Sequence, residues 1–380
     1  MYEGGNNDVG VETLWTLERD LDPMSLCVDT DNLRQLPLCL GTMTFGDQQQ
    51  DRYGECSKEE ASSILDHFYS EGGNFLDTSN VYQNGQAEQW VGEWMAARRN
   101  RDDMVLATKY SNSARSGDNG IIKSNYGGNG TKSMKLSLEI SLKRLQTSYV
   151  DIFYVHYWDF TTSVEELMQS LNDLVSAGKV LYLGISDAPA WVVSKANQYA
   201  RMANLRPFVR DIIPMSLSEG MGLAAYGVLN QGRFQTEEAF KEREKANPGR
   251  KFIAFSEHDK KISKALDVLS SKKGVKLLDI ALAYVRSKAP YVFPLVGARK
   301  LDHIQGSIAA LEVSLTEDEV KEIDSAYPFD HGFPHSFLSG TLFSGGKEPS
   351  RGASGPEDVW LTKAHGTFDW VSQAKPIGHT

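Results

Sequence analysis

Four residues of this chain could act together on a proton and a carbonyl oxygen: Asp77, Tyr82, Lys109 and His156. A tyrosine is a weak acid, with an ordinary pKa near ~10. A lysine ammonium beside it stabilises the phenolate and lowers that value. An aspartate next to the lysine keeps the ammonium charged and in place. A histidine can exchange one hydrogen bond with a carbonyl oxygen. Such a set can protonate an oxygen while hydride arrives at the neighbouring carbon. Taken singly, each residue has an ordinary explanation: a strand-end surface lysine, a rim histidine with its bonds satisfied, a loop tyrosine in packing.

Their positions in the chain argue for the set. Phe75-Leu76 is an apolar run that ends in Asp77, and Tyr82 follows in a polar turn before a helical pattern over residues 87–98. The apolar run 104–108 has Lys109 at its end, and the run 150–155 is followed by His156. Residues 180–185 form another such run, closed by Ser186-Asp187. In a parallel barrel the loops after the strands form one active face, so these residues would meet there.

The elements between them fit that frame. Residues 38–43 read as a first strand, and Ser57-Lys-Glu-Glu60 has the form of a capping box for the helix after it. Helical spacing recurs over 133–145, 164–177, 189–203, 257–273, 277–288, 301–311 and 316–326, and strands are expected at 222–226 and 291–296. The strands are continuous apolar runs rather than alternating ones, so both their faces are buried, as in a parallel sheet covered by helices. The order and the length of 380 residues suit an α/β fold of the (β/α)8 barrel class with additional helices and a C-terminal tail. The barrel is expected over 32–327, between a variable segment at 1–31, with a small hairpin starting near residue 24, and a loop-rich tail at 328–380. Residues 110–132 form a long Gly-, Ser- and Asn-rich stretch, whose glycines match neither phosphate-loop spacing.

Composition bounds the partners. The net charge is -10, which excludes bulk binding to nucleic acid or to an anionic membrane and leaves a small molecule as the expected partner. Cys27, Cys39 and Cys56 lack metal-ligand spacing and read as reduced thiols. There is no apolar run of the ~18–20 residues that a membrane span needs and no secretion-signal pattern, so a cytoplasmic location is expected.

Several runs, in order, carry a family likeness: Leu-Gly-Thr-Met-Thr-Phe-Gly46, Asp77-Thr-Ser-Asn-Val-Tyr82, Ala-Thr-Lys109, Asp-Ile-Phe-Tyr-Val-His156 and Gly-Ile-Ser186-Asp. Longer stretches sharpen it, among them residues 178–191 and 289–300. The chain resembles the aldo-keto reductase superfamily, in its branch of fungal aryl-alcohol dehydrogenases and norsolorinic acid reductases. The resemblance implies an NADP-dependent reductase that interconverts an aromatic aldehyde or ketone and its alcohol, in a secondary-metabolism setting. It implies Tyr82 as proton donor, Lys109 and Asp77 as its tuners, and His156 as the residue that orients the carbonyl. For the cofactor it implies Thr42 and Asp77 at the first strand ends, Ser186 and Asp187 at the nicotinamide amide, and Tyr226, Gly227, Leu229, Gly232 and Arg233 along the pyrophosphate. Gly297, Arg299, Lys300 and Ser307 would meet the adenosine end. Two cations at a helix N-terminus are physically suited to a 2′-phosphate.

One segment departs from the pattern. Only residues 204–210 separate two expected helices, yet they must hold a loop, strand six and another loop. Barrel strands usually run ~5 residues, so strand six is expected to be short or missing. Relatives in the resembled family carry a longer segment there, with a glutamine and an aromatic facing the nicotinamide. Weakened cofactor binding, or a non-catalytic binding or regulatory protein, is the alternative this implies. Gly306-Ser307 and Ala225-Tyr226 are smaller departures at the cofactor side.

Overall fold

Every named strand pairs in parallel. The computed structural model describes residues 36–327, apart from 119, 121, 123, 124, 209–221, 237, 240, 241, 243–255, 290 and 291. The expected N-terminal hairpin, the C-terminal tail and helices expected near 212–219 and 237–245 lie wholly or mostly outside the described residues. Six strands, β1 (Cys39–Gly41), β2 (Phe75–Asp77), β3 (Val105–Tyr110), β4 (Val150–Val155), β5 (Val180–Ile185) and β6 (Leu295–Gly297), form one sheet in the order β5-β4-β3-β2-β1-β6. Around them run α1 (Lys58–Ser70), α2 (Gln86–Arg98), α3 (Thr131–Leu145), α4 (Val164–Ser176), α5 (Ala190–Met202), α6 (Glu257–Lys273), α7 (Leu277–Ser287), α8 (Leu301–Ala309) and α9 (Glu317–Ala326).

Two single-residue bridges extend the arc at its ends: Phe208 beside Leu183 of β5, and Leu223 beside Val292, just ahead of β6. They occupy the sixth and seventh strand positions of a (β/α)8 ring, which the described residues do not close. Phe208 is held by Asn197 of α5, whose amide oxygen accepts from its N–H at 2.8 Å and whose Nδ2 donates to its carbonyl at 3.3 Å. Among the described residues, the short strand six expected at 204–210 shows one bridged residue, Phe208, and the strand expected over 222–226 shows the bridge at Leu223, with the Leu295 N–H on the Ala225 carbonyl beside it.

Local chemistry explains the elements. In α1 the capping box forms as expected, with Ser57 and Glu60 each accepting from the other's backbone N–H. Its buried residues Ala61, Ile64, Leu65 and Phe68 recur at helical spacing and give one apolar face. Capping boxes at Ser256 and Thr316 start α6 and α9 in the same way. Pro189, the first residue of the helix expected over 189–203, is the N-cap of α5.

Strand parity sorts the side chains into two layers. One set, Leu40, Leu76, Leu106, Tyr110, Phe153, Val155 and Leu183, packs outward against the helices in the large core. Each such fully buried large side chain contributes roughly 1.5–3 kcal/mol. The alternate set, Cys39, Phe75, Val105, Ala107, Ile152 and Tyr154, fills the barrel interior. Tyr154 fits there because Gly184 lies opposite; a Cβ on Gly184 would come within 2.5 Å of its ring. Cys39 and Cys56 are both buried and neither is in a disulfide, while Cys27 lies outside the described residues.

Candidate active site

The inward parity continues past the apolar interior and changes chemistry at the C-terminal ends of the strands. Asp77 stands two residues after Phe75, Lys109 two after Ala107, and His156 two after Tyr154. The same alternation that fills the barrel therefore aims these three side chains into one mouth. β3 runs two residues further than expected, to Tyr110, so Lys109 lies within the strand, in register with Tyr154, rather than beyond its end.

Lys109 is the centre of the cluster. Its Nζ donates to Asp77 Oδ1 at 2.5 Å and to the Thr78 carbonyl at 2.8 Å, and lies 3.5 Å from Tyr82 Oη. Burial disfavours the Lys109 ammonium, but the Asp77 carboxylate and the Tyr82 oxygen outweigh it and hold its pKa above the ordinary value. The Tyr82 ring meets the His156 ring edge-on, with centroids 5.9 Å apart and planes at 84°. All four expected residues are therefore gathered at one end of the barrel.

The electrostatics correct one expectation. Lys109 does lower the Tyr82 pKa, but desolvation by burial is larger and pushes the phenol up to about 12. Tyr82 is thus protonated throughout the physiological range, the form a proton donor needs. Burial, reinforced by the Lys109 charge, pushes His156 down to about 3, so its imidazole is neutral.

Tyr82 comes from a turn held under strain. Gln83 and Asn84 have φ of 49° and 54°, and Gly85 follows at 94°. Arg144 of α3 clamps this turn: its Nη1 donates to the Asn80 carbonyl at 2.8 Å and to Glu88 Oε2 at 3.1 Å. Its Nη2 donates to the Ala114 carbonyl at 2.7 Å. Fully buried Glu88 also accepts from Thr108 Oγ1 at 2.7 Å, which ties the turn to β3. On the other side the Gln83 amide receives the Gln49 N–H at 2.8 Å and donates to the Met43 carbonyl at 3.2 Å. None of these supporting residues stood out in the sequence, because a buried Glu and Arg in two helices look like surface charges until the helices are packed.

The long stretch after β3 is fastened at its far end. Asn129 is fully buried; its N–H donates to Asp159 Oδ2 and its Oδ1 accepts the Asp159 N–H, both at 2.8 Å. Despite the cost of desolvation, backbone N–H donors from Asn129, Thr162 and Thr161 hold the Asp159 carboxyl down at about 2.

A strand-end Lys–Asp pair beside a protonated tyrosine and a neutral histidine is one observation; the whole-chain likeness is another. The sequence profile described as "Aldo/keto reductase family" matches residues 37–328. The chain belongs to the aldo/keto reductase family. It is 58% identical to norsolorinic acid reductase B of Aspergillus parasiticus, over 91% of this chain and 94% of that one. It is 60% identical to norsolorinic acid reductase B of Dothistroma septosporum, over 92% of each. It is 44% identical to an aryl-alcohol dehydrogenase [NADP(+)] of Phanerodontia chrysosporium, over 85% of this chain and 90% of that one. The first alignment runs over 362 residues, more than 91% of a 380-residue chain can supply, so that relative has residues this chain lacks.

Aldo/keto reductases use nicotinamide cofactors, and the residues expected on the cofactor side fall into three groups. Thr42 is fully buried; its Oγ1 and N–H both donate to the Asp77 carbonyl, at 3.1 and 2.9 Å, so it braces the site from within. Ser186 spends its hydroxyl proton on the His156 carbonyl at 2.6 Å, and exposed Asp187 sits at φ 44° directly after it.

Residues 226–233 form a tight double turn, with Asn230 N–H on the Gly227 carbonyl at 2.7 Å and Gly232 N–H on the Leu229 carbonyl at 2.9 Å. Tyr226 is exposed at this turn and close enough to Tyr82 to bear on its ionisation. Arg233 is drawn away to Asp259 of α6, at 3.7 Å, and to Asn230, so it fastens the turn.

At the third group, β6 ends in exposed Gly297, and Lys300 is the exposed N-cap of α8. Arg299 lies over Gly54 of the loop after β1, where a Cβ would come within 2.0 Å of its guanidinium. Neither Arg299 nor Lys300 has a carboxylate partner among the described residues. Ser307 bonds back to the His303 carbonyl at 3.0 Å, one turn earlier in α8.

Proposed function

We propose that this aldo/keto reductase reduces the carbonyl of an aromatic ketone or aldehyde to its alcohol with NADPH, and runs the reverse reaction when the alcohol is in excess. The observation that carries this reading is the gathering of Tyr82, Lys109, Asp77 and His156 at one mouth of the barrel. The neutral His156 ring offers a hydrogen bond to the substrate carbonyl and fixes its orientation. Tyr82 holds the proton that the developing alkoxide takes. Lys109, anchored by Asp77, stabilises the phenolate left behind. When bound, NADPH supplies the hydride. Arg299 and Lys300, cations at the N-terminal end of α8 without a carboxylate partner among the described residues, are chemically suited to its 2′-phosphate, and the relative named for NADP(+) favours the same choice.

Substrates of polyketide type, in secondary metabolism, fit the relatives named norsolorinic acid reductase. Exposed apolar side chains that follow β4, β5 and the Leu223 bridge, namely Phe160, Trp191 and Tyr226, suit a flat aromatic molecule. No helix among the described residues is long and apolar enough to cross a membrane, and a cytoplasmic location fits that and the reduced, buried cysteines.

The short segment 204–210, with one bridge, at Phe208, among its described residues, favours a second reading, a cofactor-binding protein with little turnover. The intact quartet favours the enzyme. Wild type and Tyr82→Phe decide between them, with NADPH binding followed by cofactor fluorescence and turnover measured on an aromatic aldehyde. The expected result is wild-type turnover that falls by ~10²–10⁴ in the variant, with NADPH affinity unchanged. Equal turnover in the two proteins refutes catalysis at this site.

A further inference from the structure

Two side chains close on the Nδ1 side of the His156 ring. Ser79 Oγ lies 3.2 Å from His156 Nδ1, and Asn112 Nδ2 lies 3.3 Å from the same nitrogen. The ring's other nitrogen, Nε2, has no hydrogen-bond partner among the described residues.

The chemistry of the two neighbours differs. A serine hydroxyl either donates or accepts, and Ser79 has an alternative acceptor in Asn80 Oδ1 at 3.4 Å. By itself Ser79 would tolerate a proton on either imidazole nitrogen. An amide NH₂ only donates. Its approach to Nδ1 requires a lone pair there, which leaves the single proton of a neutral imidazole on Nε2.

The chain goes to some length to put Asn112 in that place. Ser111, fully buried, is bent to φ 93°, a conformation that costs a non-glycine residue of order 1–3 kcal/mol. The bend ends β3 and turns Asn112 toward the imidazole. Ser111 Oγ accepts the His156 N–H at 3.2 Å, so the buckle grips the backbone of the residue it serves. Asn80, also fully buried, donates from Nδ2 to the Asn112 carbonyl at 2.8 Å. The Arg144 guanidinium holds the Asn80 carbonyl in turn, at 2.8 Å. The clamp that steadies the Tyr82 turn therefore also steadies the residue behind His156.

We propose that Asn112, seconded by Ser79, is a positioning residue that fixes the His156 proton on Nε2, so that the imidazole presents a donor and not an acceptor to the substrate carbonyl. The proposal rests on reading His156 as the residue that orients the carbonyl. An acceptor nitrogen would repel a carbonyl oxygen, and the tautomer therefore decides whether His156 assists the reaction or opposes it.

The test is long-range ¹⁵N–¹H correlation on protein labelled at histidine, with the His156 signals assigned by their loss in His156→Gln. Wild type is expected to show a protonated Nε2 and a bare Nδ1. Asn112→Asp keeps the size and the backbone bonds but turns the donor into an acceptor, so the proton is expected to move to Nδ1. Turnover on an aromatic ketone should then fall by ~10²–10³, the effect of losing one preorganised donor, while NADPH affinity stays within about twofold. Ser79→Ala should leave the proton on Nε2. A wild-type Nδ1–H, or an Asn112→Asp protein that keeps its proton on Nε2, overturns the proposal. If the tautomer moves as described in a protein without carbonyl turnover, the tautomer assignment stands and the catalytic reading of the site fails by itself.

Discussion

Replacing Lys109 with methionine tests the charge logic of the site in both stability and rate. The Lys109 Nζ lies 3.5 Å from the Tyr82 oxygen. At an effective dielectric of ~20, two unit charges at that separation attract by roughly 4–5 kcal/mol, or about 3 pKa units. Tyr82 already sits at about 12 through burial, so losing the ammonium puts its phenolate out of reach. Alcohol oxidation, in which the phenolate must accept a proton, should fall by ~10³ or more, and reduction by less. The same change strands the Asp77 carboxylate, which is 3% exposed, without its cation. Breaking a buried pair from one side costs about 3–5 kcal/mol. The double variant Asp77→Asn, Lys109→Met removes the stranded charge and should recover most of that stability without recovering activity. Urea denaturation measures the first effect, and initial rates in both directions, taken across pH, measure the second. Oxidation by Lys109→Met within tenfold of wild type, or turnover restored in the double variant, would refute the argument.

Two further outcomes follow from the electrostatics. The folded pKa of His156 lies at about 3, below its unfolded value near ~6.5. The unfolded chain therefore binds a proton that the folded one does not. Stability is fully present above the unfolded value and declines as pH falls, by about 2 kcal/mol between pH 7 and pH 5. Asp159, held at about 2, loses its contribution only further down and leaves this window untouched. His303, also lowered by burial, acts in the same direction as His156; the slope lost in His156→Gln, measured by denaturation at each pH, isolates the His156 share. At the cofactor end, alanine at both Arg299 and Lys300 should weaken NADPH binding by ~10–100-fold, the worth of one or two charge-assisted hydrogen bonds, and leave NADH binding nearly unchanged. Parallel fluorescence titrations with the two cofactors check it, and equal losses for both would remove the 2′-phosphate role.

Much of the site was legible because strand periodicity is short-range information. Phe75 to Asp77, Ala107 to Lys109 and Tyr154 to His156 are each a step of two along a strand, and apolar runs that end in a polar residue mark where the buried sheet meets its mouth. The helices announced themselves by the capping box at Ser57 and by apolar spacing. The shortness of segment 204–210 was equally plain from counting residues, and among its described residues the sheet takes up Phe208 by one bridge.

Other features depend on distances between parts of the chain far apart in sequence. Glu88 and Arg144 are 56 residues apart, and only the packing of α2 against α3 turns two ordinary helix charges into a clamp on the Tyr82 turn. Asn112 sits in a stretch whose composition suggests nothing but a loop, until the buckle at Ser111 turns its amide toward His156. The sign of the Tyr82 shift belongs here too. Neighbouring residue types predict that a lysine lowers a phenol's pKa, and it does. How much water is excluded around that phenol is a property of the assembled fold, and in this protein the exclusion is the larger effect. By itself, then, the order of residues determined which groups reach the mouth of the barrel. Tertiary packing decided which proton each of them carries, because desolvation and long-range contacts exist only once the chain has closed around them.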